Sequence, residues 1–330
     1  MSIKSDLISL NWVSKSKNYL NILKLFLTLL IIVFALYGID LNKIGLITEK
    51  INAYYAFVAF SFIGIHIITV SLRWRGIIII CGKSATKKQI IRLTLIGHFF
   101  RSFLPFSIAN DVSRVVLCQN IGLQKLFTTV TVVLDRLLGI ISLALIVIAV
   151  SLISKSTQYI AINGLIVIVF FSFWLILLTI ILKVLEPKII LKNKKIIEYK
   201  NKLLYLYSHA EKKIFSLQFY KTIFFSVIAN LAIISSLYFL ALSIECKITL
   251  LQSIIYFPIV LLMTLLPISI GGWGVREVVF IYVFSLLNLP STDAVIISIA
   301  FGVLLTLFGL IGGLVVLSNK FLNLKHKSCI

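Results

Sequence analysis

The sequence predicts an all-α integral membrane protein built as an inverted-topology repeat of two halves. Three observations favour this fold: the apolar composition, the charge of the loops and a segment that occurs twice. Hydrophobic residues make up 60% of the 330 positions, well above the roughly 45–50% apolar usage of soluble domains. They run in stretches of about twenty residues, the length that crosses a bilayer core of about 30 Å.

Six apolar stretches are long enough to be full membrane spans. The first follows a polar segment, 1–19, and is too long for the apolar core of a cleaved signal, so we expect it to remain in the protein. A tail, 318–330, follows the last span and is expected in the cytoplasm. The predicted spans are 20–39, 53–72, 127–151, 160–182, 222–244 and 294–317.

Basic residues border these spans on one side. The stretch 73–92 holds six without an acid, and the stretch 183–221 holds ten against three acids. Because Lys and Arg concentrate in cytoplasmic loops, both termini are expected in the cytoplasm of a multi-pass cell-membrane protein. The net charge of +21 is then a topology signal and an attraction to anionic lipid on the cytoplasmic surface, rather than to nucleic acid.

A short segment occurs once in each half of the chain. Leu-Pro-Phe-Ser-Ile-Ala-Asn-Asp-Val-Ser-Arg at 104–114 returns as Leu-Pro-Ile-Ser-Ile-Gly-Gly-Trp-Gly-Val-Arg at 266–276. The loop charges give the two copies opposite orientations, so each half consists of two spans, a hairpin and a span. The first membrane repeat is 20–152; the second is 153–317 and carries the basic cytoplasmic loop 183–221. Matching broken elements in inverted halves are typical of transporters, whose sites lie where the halves meet.

The repeated segments contain residues that interrupt helices. Proline blocks helix propagation, and glycine allows backbone with positive φ. Irregular backbone is tolerated at membrane depth where it is buried in protein or lines a wet cavity. We therefore expect two re-entrant hairpins broken at 105–111 and 267–274; the alternative is that these two regions are full spans, giving eight crossings. The helix-break residues are Pro105, Pro267, Gly271, Gly272 and Gly274.

Charged residues near the breaks are the candidate site residues. Arg114 and Arg276 follow their prolines at the same spacing, and a guanidinium fork suits a phosphate. With Arg101 they are predicted to bind a lipid headgroup. Charges inside a membrane are costly and need partners, so charge balance or proton coupling is assigned to four more residues, which could also neutralise one another in a purely structural role. These are Asp111, Asp135, Arg136 and Glu277.

Other polar and aromatic residues have simpler interpretations. Trp74 and Trp273 are interpreted first as interfacial anchors and second as ring faces for a lipid. His66 is expected to be a hydrogen-bonded packing residue. The spacing Gly309-xxx-Gly313 predicts close packing of two helices.

Several of these segments together carry a family resemblance. They are Arg73-Trp74-Arg75, the run 97–105 with Asp111 and Arg114, the pair Asp135-Arg136 and above all the run 266–277. They resemble the flippase-like family that includes the transmembrane region of lysylphosphatidylglycerol synthases, over roughly residues 20–317. The sequence departs from the family at Ala109-Asn110-Asp111, where Gly-Gly-Asp is common.

The resemblance implies that a lipid with a polar head moves between leaflets. Since only 318–330 follows the last predicted span, we expect a stand-alone member without the soluble aminoacyl-transferase domain. The expected substrate is a phosphate-bearing phospholipid, glycolipid or polyprenyl-linked lipid. Expected partners are that lipid, the anionic cytoplasmic lipid surface and a separately encoded lipid-modifying enzyme.

Two other function classes remain open. An integral-membrane transferase would need a clustered base or metal site, and the candidate acids are dispersed in sequence; a small-solute carrier could share the repeat. We therefore predict a translocase that is not an enzyme. No metal and no cofactor are predicted, and the sequence contains no GxxxxGK[ST] nucleotide-binding loop.

Overall fold

The computed structural model describes residues 51–103, 108–154, 208–209, 211–213, 216–265 and 273–317. Within these segments the chain is almost entirely α-helical. The helices are α1 (Ala53–Ile80), α2 (Lys87–Phe103), α3 (Ala109–Leu117), α4 (Lys125–Ser154), α5 (Leu217–Ser243), α6 (Leu250–Met263), α7 (Val275–Leu286) and α8 (Ser291–Leu317). A 3₁₀ turn, Cys118–Ile121, follows α3.

Four of these helices are long and apolar enough to cross a membrane. They are α1, α4, α5 and α8, of 27 to 30 residues each, or about 40 Å at about 1.5 Å per residue. They confirm four of the six predicted spans, although α1 continues to Ile80, beyond its predicted end at 72. Spans 20–39 and 160–182, both terminal segments and most of the loop 183–221 lie outside the described residues.

The other four helices are short. Helices α3, α6 and α7 have 9, 14 and 12 residues, too few for any of them to cross the bilayer core alone. Helix α2 ends at Phe103 and α3 begins at Ala109, so the two flank the first predicted break. The sequence had suggested that Asp111 lies in the break. The structure instead places it in the first turn of α3.

The second predicted break lies between α6 and α7. Gly274 is the N-cap of α7 and has φ +84°, a conformation that L side chains rarely adopt. The Glu277 carboxylate accepts a hydrogen bond from the Gly274 N–H, which closes the first turn. The remaining predicted break residues, Pro105, Pro267, Gly271 and Gly272, lie outside the described residues.

Two antiparallel helix pairs organise the packing. The backbone N–H of Asn52, just before α1, donates to the Ser243 carbonyl at the end of α5, at 2.8 Å. At the opposite end of this pair, Gly76 of α1 leaves no room for a Cβ beside Thr222. The second pair joins α2 to α8, two helices from different halves of the sequence.

Glycines of α8 set the spacing of the second pair. A Cβ on Gly312 would collide with the Leu95 carbonyl oxygen of α2, and one on Gly313 would lie 2.8 Å from the Phe99 ring. Gly309 likewise faces Ser102. The close packing predicted from Gly309-xxx-Gly313 is thus confirmed.

Apolar side chains lie both inside and outside this bundle. Phe257, Phe280 and Phe284 are fully buried between α6 and α7. Large apolar side chains such as Phe57 and Leu314 are exposed on the outer faces of the long helices. A soluble protein rarely exposes such continuous apolar surface, so these faces fit contact with lipid tails.

Candidate functional site

A polar cavity of about 140 Å³ lies inside the apolar bundle. Helices α1 to α6 and α8 all contribute to its wall. Its charged lining is strongly basic, because the described wall contains one carboxylate and four guanidinium groups. These charged residues are Arg73, Arg101, Arg114, Asp135 and Arg136.

The single carboxylate in the wall, Asp135 of α4, binds two arginines. Its Oδ1 accepts from Arg73 Nε at 2.7 Å, and its Oδ2 accepts from Arg114 Nη1 at 3.3 Å. The Asp135 and Arg114 side chains are each only 2% exposed. One carboxylate therefore forms ion pairs with two buried guanidinium groups, one from α1 and one from α3.

Arg73 had been assigned to the cytoplasmic loop, and that assignment is wrong. The structure places it in the last third of α1, buried, with a second hydrogen bond to Ser226 Oγ of α5 at 3.3 Å. Gly139 of α4 gives it room, since a Cβ there would lie 3.0 Å from Arg73 Nη1. The sequence signal for this role was the mid-span carboxylate Asp135, which needs a counter-charge.

Arg114 stacks on a buried tryptophan. Its guanidinium carbon lies 4.9 Å from the Trp74 ring centroid, a cation–π distance. Trp74 is fully buried and donates Nε1–H to Thr131 Oγ1 at 3.3 Å, so its interpretation as an interfacial anchor is wrong. The Nε of Arg114 is buried without a hydrogen-bond partner among the described residues, so this donor is left unsatisfied by the protein.

The second acidic residue of the first half, Asp111, binds Arg136. Arg136 Nη2 and Nε donate to the two Asp111 oxygens at 2.9 and 3.1 Å, the bidentate geometry of a strong ion pair. Adjacent Asp135 and Arg136 therefore do not neutralise each other; each pairs with a different helix. This pair is more accessible than the Asp135 cluster, with side chains about one-fifth exposed, 22% and 19%.

Arg101 of α2 is the one cavity arginine of the described residues without a carboxylate partner. Besides the main cavity, it lines a smaller pocket of about 20 Å³ together with His98, Trp273 and Arg276. Arg101 thus lies between the two arginines that the repeated segments contribute. The second histidine in the main cavity, His66, donates Nδ1–H to the Ala229 carbonyl at 2.8 Å, as expected.

Arg276 belongs to a compact polar group at the start of α7. Its Nη2 lies 3.1 Å from Glu277 Oε1, and its Nε donates to Ser298 Oγ of α8 at 2.9 Å. Ser298 in turn donates to Glu277 at 2.8 Å. The guanidinium also lies 4.6 Å from the Trp273 ring centroid. Both Nε and Nη2 of this arginine are thus paired within the protein.

The structure thus brings the predicted headgroup residues into two adjoining places. Arg101 and Arg114 line the main cavity, and Arg276 joins them through the smaller pocket by way of Arg101. Sequence reasoning missed Arg73 and Ser298, because nothing in the local pattern showed which helices would face Asp135 and Glu277.

Fold and site together define a multi-pass α-helical membrane protein with an arginine-rich interior cavity. The family model for the lysylphosphatidylglycerol synthase transmembrane region matches residues 21–313, and the chain belongs to this family. This result agrees with the resemblance seen in the repeated segments. No curated protein matches the chain.

Proposed function

We propose that this protein moves a phosphate-bearing lipid between the leaflets of the cell membrane. The observation that carries the proposal is the main cavity of about 140 Å³, whose described wall contains four guanidinium groups and a single carboxylate. The four arginines are Arg73, Arg101, Arg114 and Arg136. Guanidinium groups donate hydrogen bonds in a fork that matches phosphate oxygens. The acyl or prenyl chains would stay in the bilayer while the headgroup occupies the cavity.

The pattern of helix contacts supports an inverted repeat of the two halves. If α1, α2, α3 and α4 correspond to α5, α6, α7 and α8, the contacts occur in matched pairs. Helix α1 packs on α2 as α5 packs on α6, α2 on α8 as α6 on α4, and α3 on α4 as α7 on α8. The corresponding helices α1 and α5 run antiparallel, as opposite orientations of the two halves require.

The short helices support re-entrant hairpins over the alternative of eight full spans. The arms α3 and α7 extend about 14 and 18 Å at about 1.5 Å per residue, against a core of about 30 Å. We place both termini in the cytoplasm, with the first hairpin entering from inside and the second from outside. A basic cytoplasmic face would also attract anionic lipid and a separately encoded enzyme that supplies or uses the moved lipid.

Cysteine labelling tests this topology. In a variant without native cysteines, Asn110→Cys should react with a polar reagent from the cytoplasmic side and Gly272→Cys from the outside. Labelling of both positions from one side only would overturn the inverted-hairpin arrangement.

Lipid transport by the purified protein tests the function itself. Proteoliposomes with a fluorescent phosphatidylglycerol or phosphatidic acid in one leaflet should lose the leaflet asymmetry faster than empty vesicles. Arg114→Gln should slow this at least about tenfold, and Arg114→Lys should restore it poorly, because lysine keeps the charge and loses the fork. The exposed Lys88→Gln on α2 is the control and should transport normally.

The same experiment separates the competing functions. Vesicles without lipid movement, containing folded protein, would overturn the translocase. Conversion of the lipid to a new species in the presence of a donor would indicate a transferase instead.

A further inference from the structure

The buried and partly buried charges around the two cavities do not balance. In the described residues, five guanidinium groups lie there with three carboxylates. The excess is therefore two positive charges. The five arginines are Arg73, Arg101, Arg114, Arg136 and Arg276, and the three acids are Asp111, Asp135 and Glu277.

The excess is located in the main cavity. Asp111 is matched by Arg136, and Glu277 is matched by Arg276. Asp135 offsets only one of its two arginines, and Arg101 has no carboxylate partner in the described residues. Both uncompensated charges therefore belong to side chains that line the same space of about 140 Å³.

Uncompensated charge in a low-dielectric interior selects for a counter-ion. Charges interact far more strongly there than in water, and a buried charge without a partner is strongly unfavourable. A ligand with a net positive charge would add to the excess, and a zwitterion with no net charge would leave it unchanged. Only an anion lowers it, and two negative charges remove it.

We propose that the lipid headgroup transported by this protein carries two negative charges, as in a phosphomonoester or a diphosphate diester. This proposal rests on the proposed function and specifies its substrate class. The donors agree with it, because Arg114 Nε has no hydrogen-bond partner and Arg101 has no carboxylate partner among the described residues. Zwitterionic phospholipids and lipids with a cationic headgroup, such as lysylphosphatidylglycerol, do not match this cavity.

A panel of headgroups of different charge provides the test. Proteoliposomes at about pH 8, where a phosphomonoester is doubly ionised because its second pKa is about 6, receive fluorescent analogues, of which the three glycerolipids have identical acyl chains. The headgroups are phosphatidic acid, a prenyl diphosphate sugar, phosphatidylglycerol and lysylphosphatidylglycerol. We expect at least one dianionic lipid to move about tenfold or more faster than phosphatidylglycerol, and lysylphosphatidylglycerol to move slowest.

The outcomes separate this inference from the function on which it rests. If phosphatidylglycerol or lysylphosphatidylglycerol moves as fast as both dianions, the charge inference is overturned and the translocase stands. If none of the lipids moves, the proposed function is overturned. The faster of the two dianions identifies the phosphate chemistry.

A charge cycle at Asp111 and Arg136 tests the physical cause. Arg136→Gln lowers the excess to one and should shift the preference toward phosphatidylglycerol, whereas Asp111→Asn raises it to three and should sharpen the preference for the dianion. The double variant returns the excess to two and should return the wild-type ratio of the two rates. This ratio is measured in one preparation, so lower amounts of folded protein do not change it. An unchanged ratio in both single variants would overturn the proposal.

Discussion

The two halves of this protein build similar arginine sites from the same repeated segment. In the first half, Arg114 stacks on Trp74 and reaches Asp135; in the second, Arg276 stacks on Trp273 and reaches Glu277. Each half also contributes a glycine beside a guanidinium group, Gly139 in α4 and Gly302 in α8.

The two sites differ in how completely the protein satisfies them. Glu277 serves one arginine, accepts from Ser298 and caps α7, so the second site is a closed polar group. Asp135 is divided between two arginines, and Arg114 keeps a donor without a partner. The comparison teaches that one motif can stabilise a helix start in one half and leave binding capacity for a ligand in the other.

Removal of the Asp135 carboxylate, which is shared by two arginines, should have the largest effect on stability. Asp135→Asn leaves Arg73 and Arg114 buried without an anion and should cost about 3–5 kcal/mol of unfolding free energy. Thermal unfolding in detergent measures the loss. Glu245→Gln, an exposed carboxylate in the turn after α5, is the matched control and should change little. Equal stabilities of the two variants would contradict the role of Asp135 as the central counter-charge.

The closed site should behave as a coupled pair. Arg276→Gln and Glu277→Gln should each cost about 3 kcal/mol, because each leaves one buried charge alone. The double variant should regain about 2 kcal/mol relative to the sum of the single losses. Thermal unfolding of the four proteins gives this coupling, and strictly additive losses would argue against a buried pair.

Transport by the same double variant sharpens the comparison further. Near-normal transport would make the second site structural and leave headgroup contact to the first half. Loss of transport in a stable double variant would retain Arg276 as a headgroup contact, as the sequence predicted.

The two glycines should respond unequally to an added methyl group. A Cβ at Gly302 would lie 2.5 Å from Arg276 Nη2 and 2.7 Å from the Trp273 ring, both held in place, so Gly302→Ala should cost about 1–3 kcal/mol. At Gly139 the nearest atom is Arg73 Nη1 at 3.0 Å, so a smaller displacement makes room for the methyl group and Gly139→Ala should cost under about 1 kcal/mol. Unfolding in detergent ranks the two variants, and the reverse order would indicate that the first site is the tighter one.

The sequence predicted the long helices well because lipid imposes a simple rule on them. Apolar runs of the required length correctly marked 53–72, 127–151, 222–244 and 294–317. The rule failed at the end of α1, where Arg73 follows the apolar run and was assigned to a loop. There the helix packs against α4 and α5, so side chains of the protein rather than lipid surround its last turns.

The candidate site was only partly readable from the sequence. Proline, glycine and repeated arginine indicated where the helices would be interrupted, because those residues act locally. The partners of the charges depend on which helices pack together, so the pairing of Asp135 with Arg73 and of Arg136 with Asp111 could not be read from spacing. The same reason explains why Trp74 was placed at the membrane surface.

The contact between Gly312 and the Leu95 carbonyl has a consequence for any motion of this protein. It presses the backbone of α2, from the first half, directly against α8, from the second. If the proposed transport opens the cavity first to one leaflet and then to the other, we expect these two closely packed helices to move together. The moving bodies would then not coincide with the two repeats of the sequence.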